Sequence, residues 1–169
     1  QGGGVPGNIG VMPDLRSIIE TILPRLVTVI ADSGNFGEVC IGAFQDMVLS
    51  LSNSGGNMLA VTNITSSSAE FLVPSVLSYP VTIEAGNAIE VPIRLQPNSP
   101  GPKAETITVF SNDPNSPKSV EISGAVGAPR LVAIIANAGN FGNACIGSFV
   151  DEMVSLSNSG HCTLTITSI

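Results

Sequence analysis

Few side chains in this sequence could carry out chemistry on their own. The chain of 169 residues contains one histidine, three cysteines and no tryptophan. General acid–base catalysis usually depends on histidine or on paired carboxylates in a shared pocket, whereas the thirteen acidic residues are spread along this sequence, with Asp151 and Glu152 as the one adjacent pair. The sequence has neither a Gly-rich phosphate loop nor a Gly-x-Ser-x-Gly nucleophile elbow. We therefore expect no catalytic residue, no cofactor and no enzyme activity.

Two sets of residues are candidate metal ligands. The candidate oxygen ligands for calcium are Asp32, Asp46, Asp113 and Asn115. Calcium takes about six to eight oxygen ligands, usually from closely spaced acidic residues, and no Asp-x-Asn-x-Asp string is present. His161, Cys162 and Cys145 lack the fourth ligand and the Cys-x-x-Cys spacing of a zinc site. The sequence thus predicts no metal site.

The composition excludes several classes of protein. The chain is 43% hydrophobic and 11% charged, and a disordered chain would show low hydrophobicity and high charge instead. A net charge of −7, with six basic residues that form no cluster, gives no footprint for nucleic acid. No apolar run approaches the roughly 20 residues of a transmembrane helix. We expect a globular chain whose partners are proteins.

An internal repeat organises the sequence. Residues 24–64 and 129–169 align without a gap at an offset of 105 residues, with 24 of 41 positions identical. This duplication predicts a complete unit at 24–128 and the first strands of a second, truncated unit at 129–169. Residues 1–23 differ and predict a Gly-rich arm followed by a short helix. Its apolar residues Leu15, Ile18, Ile19, Ile22 and Leu23 are expected to pack on the sandwich or on a neighbour.

Hydrophobic alternation gives the fold class. Residues 89–96 alternate apolar and polar without exception, and similar short runs are separated by Gly-, Asn- and Pro-rich turns. This pattern predicts an all-β, immunoglobulin-like antiparallel β-sandwich of seven or eight strands. Pro92 lies inside a predicted strand, which places that strand at an edge or its nitrogen outward.

The repeated motifs have roles in folding. Phe36, between Gly34 and Gly37, is expected to fill the end of the sandwich where the chain crosses between sheets. Asn53 and Gly55 predict an Asx-type turn in which Gly55 has a positive φ. The predicted structural residues are Phe36, Gly37, Gly42, Asn53 and Gly55, with Phe141, Gly142, Gly147, Asn158 and Gly160 as their equivalents in the second repeat.

The order of these motifs carries a family resemblance. Asn35-Phe36-Gly37, Asn53-Ser54-Gly55 and Asn112-Asp113-Pro114, followed by Gly124, make residues 24–128 resemble the ASH and choice-of-anchor D type of immunoglobulin-like domain. The resemblance implies a sandwich like that of major sperm protein. In bacteria, similar domains are repeated modules of large secreted or surface-exposed proteins. In eukaryotes, related domains occur in ciliary and centrosomal proteins.

The same resemblance implies a disulfide. In similar domains a cysteine before Ile-Gly and one after the Asn-Ser-Gly turn often occur together, which predicts a Cys145–Cys162 bond and an unpaired, buried Cys40. Three buried thiols remain the alternative. A disulfide requires an oxidising compartment, so this prediction favours an extracellular or cell-surface location.

We therefore expect a structural or interaction module of a multi-repeat protein, which associates with neighbouring repeats or with itself and could build a fibre. The alternatives are an accessory carbohydrate- or protein-binding module of a larger enzyme or receptor, and a ciliary or centrosomal scaffold domain.

Overall fold

The structure is a computed structural model, and it describes residues 15–73 and 77–169. The strands of the first unit are β1 (Leu26–Ile30), β2 (Asn35–Cys40), β3 (Gln45–Asn53), β4 (Leu59–Ser66), β5 (Phe71–Leu72), β6 (Val81–Ile83), β7 (Ala88–Leu95), β8 (Gly101–Ser111) and β9 (Lys118–Gly127). They form a four-stranded sheet, in the order β1-β3-β7-β5, and a five-stranded sheet, in the order β2-β9-β8-β4-β6. The predicted immunoglobulin-like β-sandwich is confirmed, although the described part of the first unit has nine strands where seven or eight were predicted.

The core lies between these two sheets, as the alternation predicts. Val91, Ile93 and Leu95 of β7 are fully buried, and so are Leu49 and Leu51 of β3. Their polar neighbours point outward because successive side chains of a strand face opposite sides of the sheet. Among the described residues, Pro92 pairs with Val48 of β3 on one side of β7, and β5 pairs with the last two residues of β7 on the other side.

One strand pair departs from the predicted antiparallel arrangement. β2 runs parallel to β9, because the chain changes sheets immediately after β1. The change is made by a turn at Ala31–Gly34, in which Asp32, Ser33 and Gly34 have φ of 46°, 52° and 79°. Gly34 is required there, since a Cβ atom would overlap the carbonyl oxygen of Glu121. Alternation within strands carries no information about such a crossover.

The predicted helix is present, but its apolar stripe is not buried. Helix α1 (Leu15–Ile22) ends before Pro24, and Leu15, Ile18, Ile19 and Ile22 are all exposed. Its last turn lies against Gly56, where a Cβ atom would overlap the carbonyl oxygen of Thr21. No helix in the described part of the chain is long and apolar enough to cross a bilayer. The predicted Gly-rich arm lies outside the described residues.

The second repeat reproduces the opening of the first. Strands β10 (Leu131–Ile135) and β11 (Val154–Asn158) pair antiparallel from Leu131↔Asn158 to Ile135↔Val154, which is the register of β1 and β3 shifted by the repeat offset. The intervening turn again has positive φ, at 50° for Asn137 and 54° for Ala138. The similar sequences of the two repeats therefore adopt the same strand pairing and the same turn, whereas the array of complete units stays a prediction.

Candidate functional site at the junction between the repeats

A disulfide joins the two repeats. Cys40, at the end of β2, is bonded to Cys162, which follows β11, with a Cα–Cα distance of 5.7 Å and a sequence separation of 122 residues. Cys145 is the free cysteine and is exposed. The predicted Cys145–Cys162 bond and the unpaired, buried Cys40 are therefore wrong.

The path of β9 explains why Cys162 bonds to the other repeat. β2 pairs with β9 up to Cys40↔Gly127, so the chain enters the second repeat directly beside Cys40. The turn after β11 packs on this entry, because Gly160 lies where a side chain would overlap the backbone of residues 128–130. That packing brings Cys162 within 2.9 Å of the position of a Cβ on Gly127. The family resemblance implied a bond within one repeat. The observed bond joins two repeats because the β2–β9 pairing brings the chain past Cys40, and that pairing has no signal in the sequence.

The junction between the repeats is defined here by five residues: Glu38, Cys40, Gly127, His161 and Cys162. Besides the disulfide, a polar contact spans it. Nδ1 of His161 lies 2.7 Å from Oε2 of Glu38, and both side chains are largely exposed. An exposed polar contact of this kind contributes at most about 1 kcal/mol even where both groups are charged, so the disulfide is the main constraint. Neither Glu38 nor Gly127 was predicted, since neither has a motif around it.

The two Asx turns hold the start of each repeat. Oδ1 of Asn53 accepts hydrogen bonds from Gly55 N at 3.0 Å and Arg25 N at 3.2 Å. Asn158 accepts the equivalent bonds from Gly160 N at 3.0 Å and Arg130 N at 3.1 Å. The predicted positive φ at Gly55 is wrong. Glycine is needed instead because a Cβ there would overlap the carbonyl oxygen of Leu23.

The remaining motif residues lie in β2 or in the turns on either side of it, and at the equivalent positions of the second repeat. Phe36 is buried at 5% exposure and packs edge-to-face on Phe71, with ring centroids 5.3 Å apart. Its equivalent, Phe141, is 49% exposed. Positive φ values occur at Gly34, Gly37 and Gly42 in the first repeat and at their equivalents Gly139, Gly142 and Gly147 in the second.

The structure keeps the candidate metal ligands apart. Asp46 is bound by Arg94 through two hydrogen bonds of 2.7 Å, which lower the pKa of this carboxyl. Asp113 is buried and accepts bonds from the backbone N–H groups of Leu26 and Asn115, both at 2.7 Å, while Asp32 lies in the crossover turn. In the part of the chain that is described, no three His, Cys, Asp or Glu residues are grouped to hold a metal ion.

A carboxylate that the sequence did not single out organises one end of the sandwich. Oε1 of Glu70 accepts hydrogen bonds from Asn98 N at 2.8 Å and Ser99 N at 2.9 Å. Its other oxygen lies 2.7 Å from Nζ of Lys103. The hydrogen bond from Lys103, with those from Asn98 and Ser99, lowers the pKa of Glu70 from 4.5 to about 2. Glu70 therefore binds the β7–β8 turn to the segment before β5.

Comparison with known proteins gives a family and a fold. Residues 27–126 match the model of a family described as protein of unknown function (DUF1573). No curated protein matches the sequence. Among solved structures, a protein of unknown function from Porphyromonas gingivalis W83 is similar, with a TM-score of 0.52 and 13% identity over 66% of this chain. This chain spans about half of that protein, 51%.

Two further structures resemble the chain more weakly. The human CEP192 ASH/PapD-like domain has a TM-score of 0.49 and 13% identity, covering 62% of this chain and 86% of the domain. WR4, a C. elegans MSP family member, has a TM-score of 0.39 and 10% identity, covering 62% of this chain and 98% of WR4.

Proposed function

The chain belongs to the DUF1573 family, and on that premise we propose that it is a non-enzymatic structural and interaction module of a secreted or surface-exposed, multi-repeat protein. In this proposal successive repeats are fastened end to end, and the partners are neighbouring repeats or further copies that extend the array into a fibre. The bacterial setting follows from the choice-of-anchor resemblance.

The observation that carries this proposal is the covalent junction between the repeats. The Cys40–Cys162 bond connects the end of β2 in one repeat to the turn after β11 in the next. A crosslink between modules resists their separation and limits their relative rotation, which supports a role in an array of linked modules. A disulfide of this kind persists only in an oxidising compartment, which supports a location outside the cytoplasm.

The engagement of charged groups supports a non-enzymatic role. Asp46 is paired with Arg94, Glu70 with Lys103 and Glu38 with His161, and Asp113 accepts backbone hydrogen bonds. A catalytic acid or base needs instead to face a substrate within hydrogen-bond reach. These charged side chains stabilise the fold through their contacts with other parts of the chain, which supports a structural role for them.

A labelling experiment tests location and crosslink together. Intact source cells are treated with a membrane-impermeant maleimide, and the protein is then isolated and mapped by mass spectrometry. We expect label on Cys145, which is exposed and free, and an intact Cys40–Cys162 peptide pair. A cytoplasmic marker protein with an exposed cysteine serves as the control for leakage. Label on none of the three cysteines before lysis, and on all three after lysis without reductant, would overturn the proposal.

A further inference from the structure

The junction disulfide borders an open cleft. Cys40 and Cys162 both line a cleft of about 620 Å³ whose residues come from both repeats. Cys40 is half-buried, and Cys162 is 7% exposed. Neither cysteine belongs to the cluster of buried side chains between the two sheets. The bond therefore lies outside the sandwich core, beside a cleft that is open to solvent.

The residues that line the cleft are mostly small. The turn after Cys40 is closed by a hydrogen bond from Ala43 N to Cys40 O at 3.0 Å, and Ile41 in this turn is 55% exposed. Gly127 is required beside Cys162, since a Cβ atom there would lie 2.9 Å from Sγ of Cys162. The small or rigid residues of the lining are Gly42, Ala43, Pro100, Gly127, Ala128 and Pro129. These residues carry no long side chain that could shield the disulfide.

The disulfide is also the strongest constraint on the second repeat. The contact between Glu38 and His161 is largely exposed and contributes little to stability. Gly160 packs on the backbone of residues 128–130, but these residues form the entry of the same repeat and do not attach it to β2. Breaking the disulfide therefore frees the second repeat to move relative to the first.

We propose that the junction cleft is a thiol-exchange site, at which an external dithiol reduces the Cys40–Cys162 bond of the folded chain and uncouples the repeats. This inference rests on the proposed function and adds a way to regulate its crosslink. Disulfides that are exposed to solvent are the labile and regulatory ones, because exchange depends on access of the attacking thiolate.

The exchange takes place in two steps. A thiolate of the dithiol attacks Sγ of Cys40, the more exposed cysteine of the pair. The electron pair of the S–S bond leaves on Sγ of Cys162, which takes up a proton. The second thiol of the reagent then displaces Cys40, so the dithiol ends as a disulfide and its two protons end on the two protein thiols.

Reduction of the folded chain by dithiothreitol tests this proposal. A Cys145→Ser background removes the third thiol, and alkylation followed by mass analysis counts the thiols that are released with time. We expect a reduction rate that is unchanged by urea below the unfolding transition, because attack through the cleft needs no unfolding.

Tryptophan substitutions test the role of the cleft. Ala43→Trp and Ala128→Trp, each of which fills the cleft, should slow reduction at least about fivefold by limiting access to the sulfurs. Ala85→Trp, in the exposed turn between β6 and β7, should leave the rate unchanged and is the matched control. Urea denaturation of each variant checks that it is folded.

Trypsin cleavage tests the uncoupling of the repeats. Arg25 and Arg130 are exposed and occupy equivalent positions at the start of the two repeats. After reduction we expect cleavage after Arg130 to quicken at least about threefold, because local opening of the junction becomes easier. Cleavage after Arg25 should stay unchanged and is the internal control.

A reduction rate that rises with urea in parallel with global unfolding would overturn the proposal, as would equal rates in the Ala43→Trp, Ala128→Trp and Ala85→Trp variants. Unchanged cleavage after Arg130 in the reduced chain would overturn the uncoupling. Neither result contradicts the proposed array, because a bond that is reduced only on unfolding still links the repeats. Absence of label on Cys145 in intact cells would reject the array instead, and it does not affect these rates.

Discussion

Asn53 and Asn158 occupy the same place in the two repeats but have different surroundings. Both make the Asx turn, yet Asn53 is 1% exposed and also donates to Ile83 O at 3.0 Å, while Asn158 is exposed. A buried hydrogen-bonding group that loses its partner costs about 1–3 kcal/mol. The asparagine side chain therefore contributes more to the free energy of unfolding in the first repeat than in the second.

Replacing each asparagine with alanine measures that difference. Asn53→Ala leaves Arg25 N, Gly55 N and Ile83 O without their partner, so we expect the free energy of unfolding to fall by about 2–3 kcal/mol. Asn158→Ala should lower it by less than about 1 kcal/mol, because water can replace the lost bonds. Urea denaturation of both variants checks this, and equal losses would contradict the burial argument.

The cysteines give a second pair of matched variants. Cys162→Ser removes the junction crosslink, and we expect a loss of about 2–4 kcal/mol because the unfolded chain is no longer constrained. Cys145→Ser should leave the stability unchanged, since Cys145 is exposed and unbonded. Alkylation of the oxidised parent chain should modify one thiol, rising to three after reduction. Similar losses of stability in Cys145→Ser and Cys162→Ser, with none in Cys40→Ser, would favour the Cys145–Cys162 pairing instead.

At the scale of elements, Glu70 connects the turn between β7 and β8 to the segment before β5. The stability that this connection provides depends on pH. Its pKa is lowered in the folded chain from 4.5 to about 2. A lowered pKa means that ionised Glu70 stabilises the fold above about pH 4.5, and that this contribution is lost as the pH falls toward 2. The affected element is the turn between β7 and β8, which Glu70 holds through Asn98 and Ser99.

Glu70→Gln tests this directly. Thermal melting of the parent chain should lose stability between pH 4.5 and 2, and the variant should lose less over the same window, since it has no carboxylate to protonate. Asp46→Asn provides the control for another carboxyl with a lowered pKa. Identical pH dependence of the parent and the Glu70→Gln variant would show that Glu70 does not connect these elements.

At the scale of the whole molecule, the sequence predicted what is local or periodic. Alternation at residues 89–96 predicted the buried face of β7, and the Asn-Ser-Gly motif predicted the Asx turns. The parallel pairing of β2 with β9 could not be predicted, because it depends on the crossover at residues 31–34. The Cys40–Cys162 bond could not be predicted either. It depends on the β2–β9 pairing, because this pairing places the end of β9, and therefore the start of the second repeat, beside Cys40. Glu70 was missed because its partners are distant in sequence.

The central claim is that the two repeats share one strand pairing, β1 with β3 and β10 with β11, whereas in the described chain only β1 and β3 belong to a sheet that packs in a buried core. Hydrogen exchange of the unmodified, oxidised chain tests it most directly by comparing amides at equivalent positions in β1 and β10, and in β3 and β11. The account predicts that the amides of β1 and β3 exchange only through global opening, and that those of β10 and β11 exchange at least about a hundredfold faster. Equal protection at equivalent positions, at every protein concentration, would contradict it.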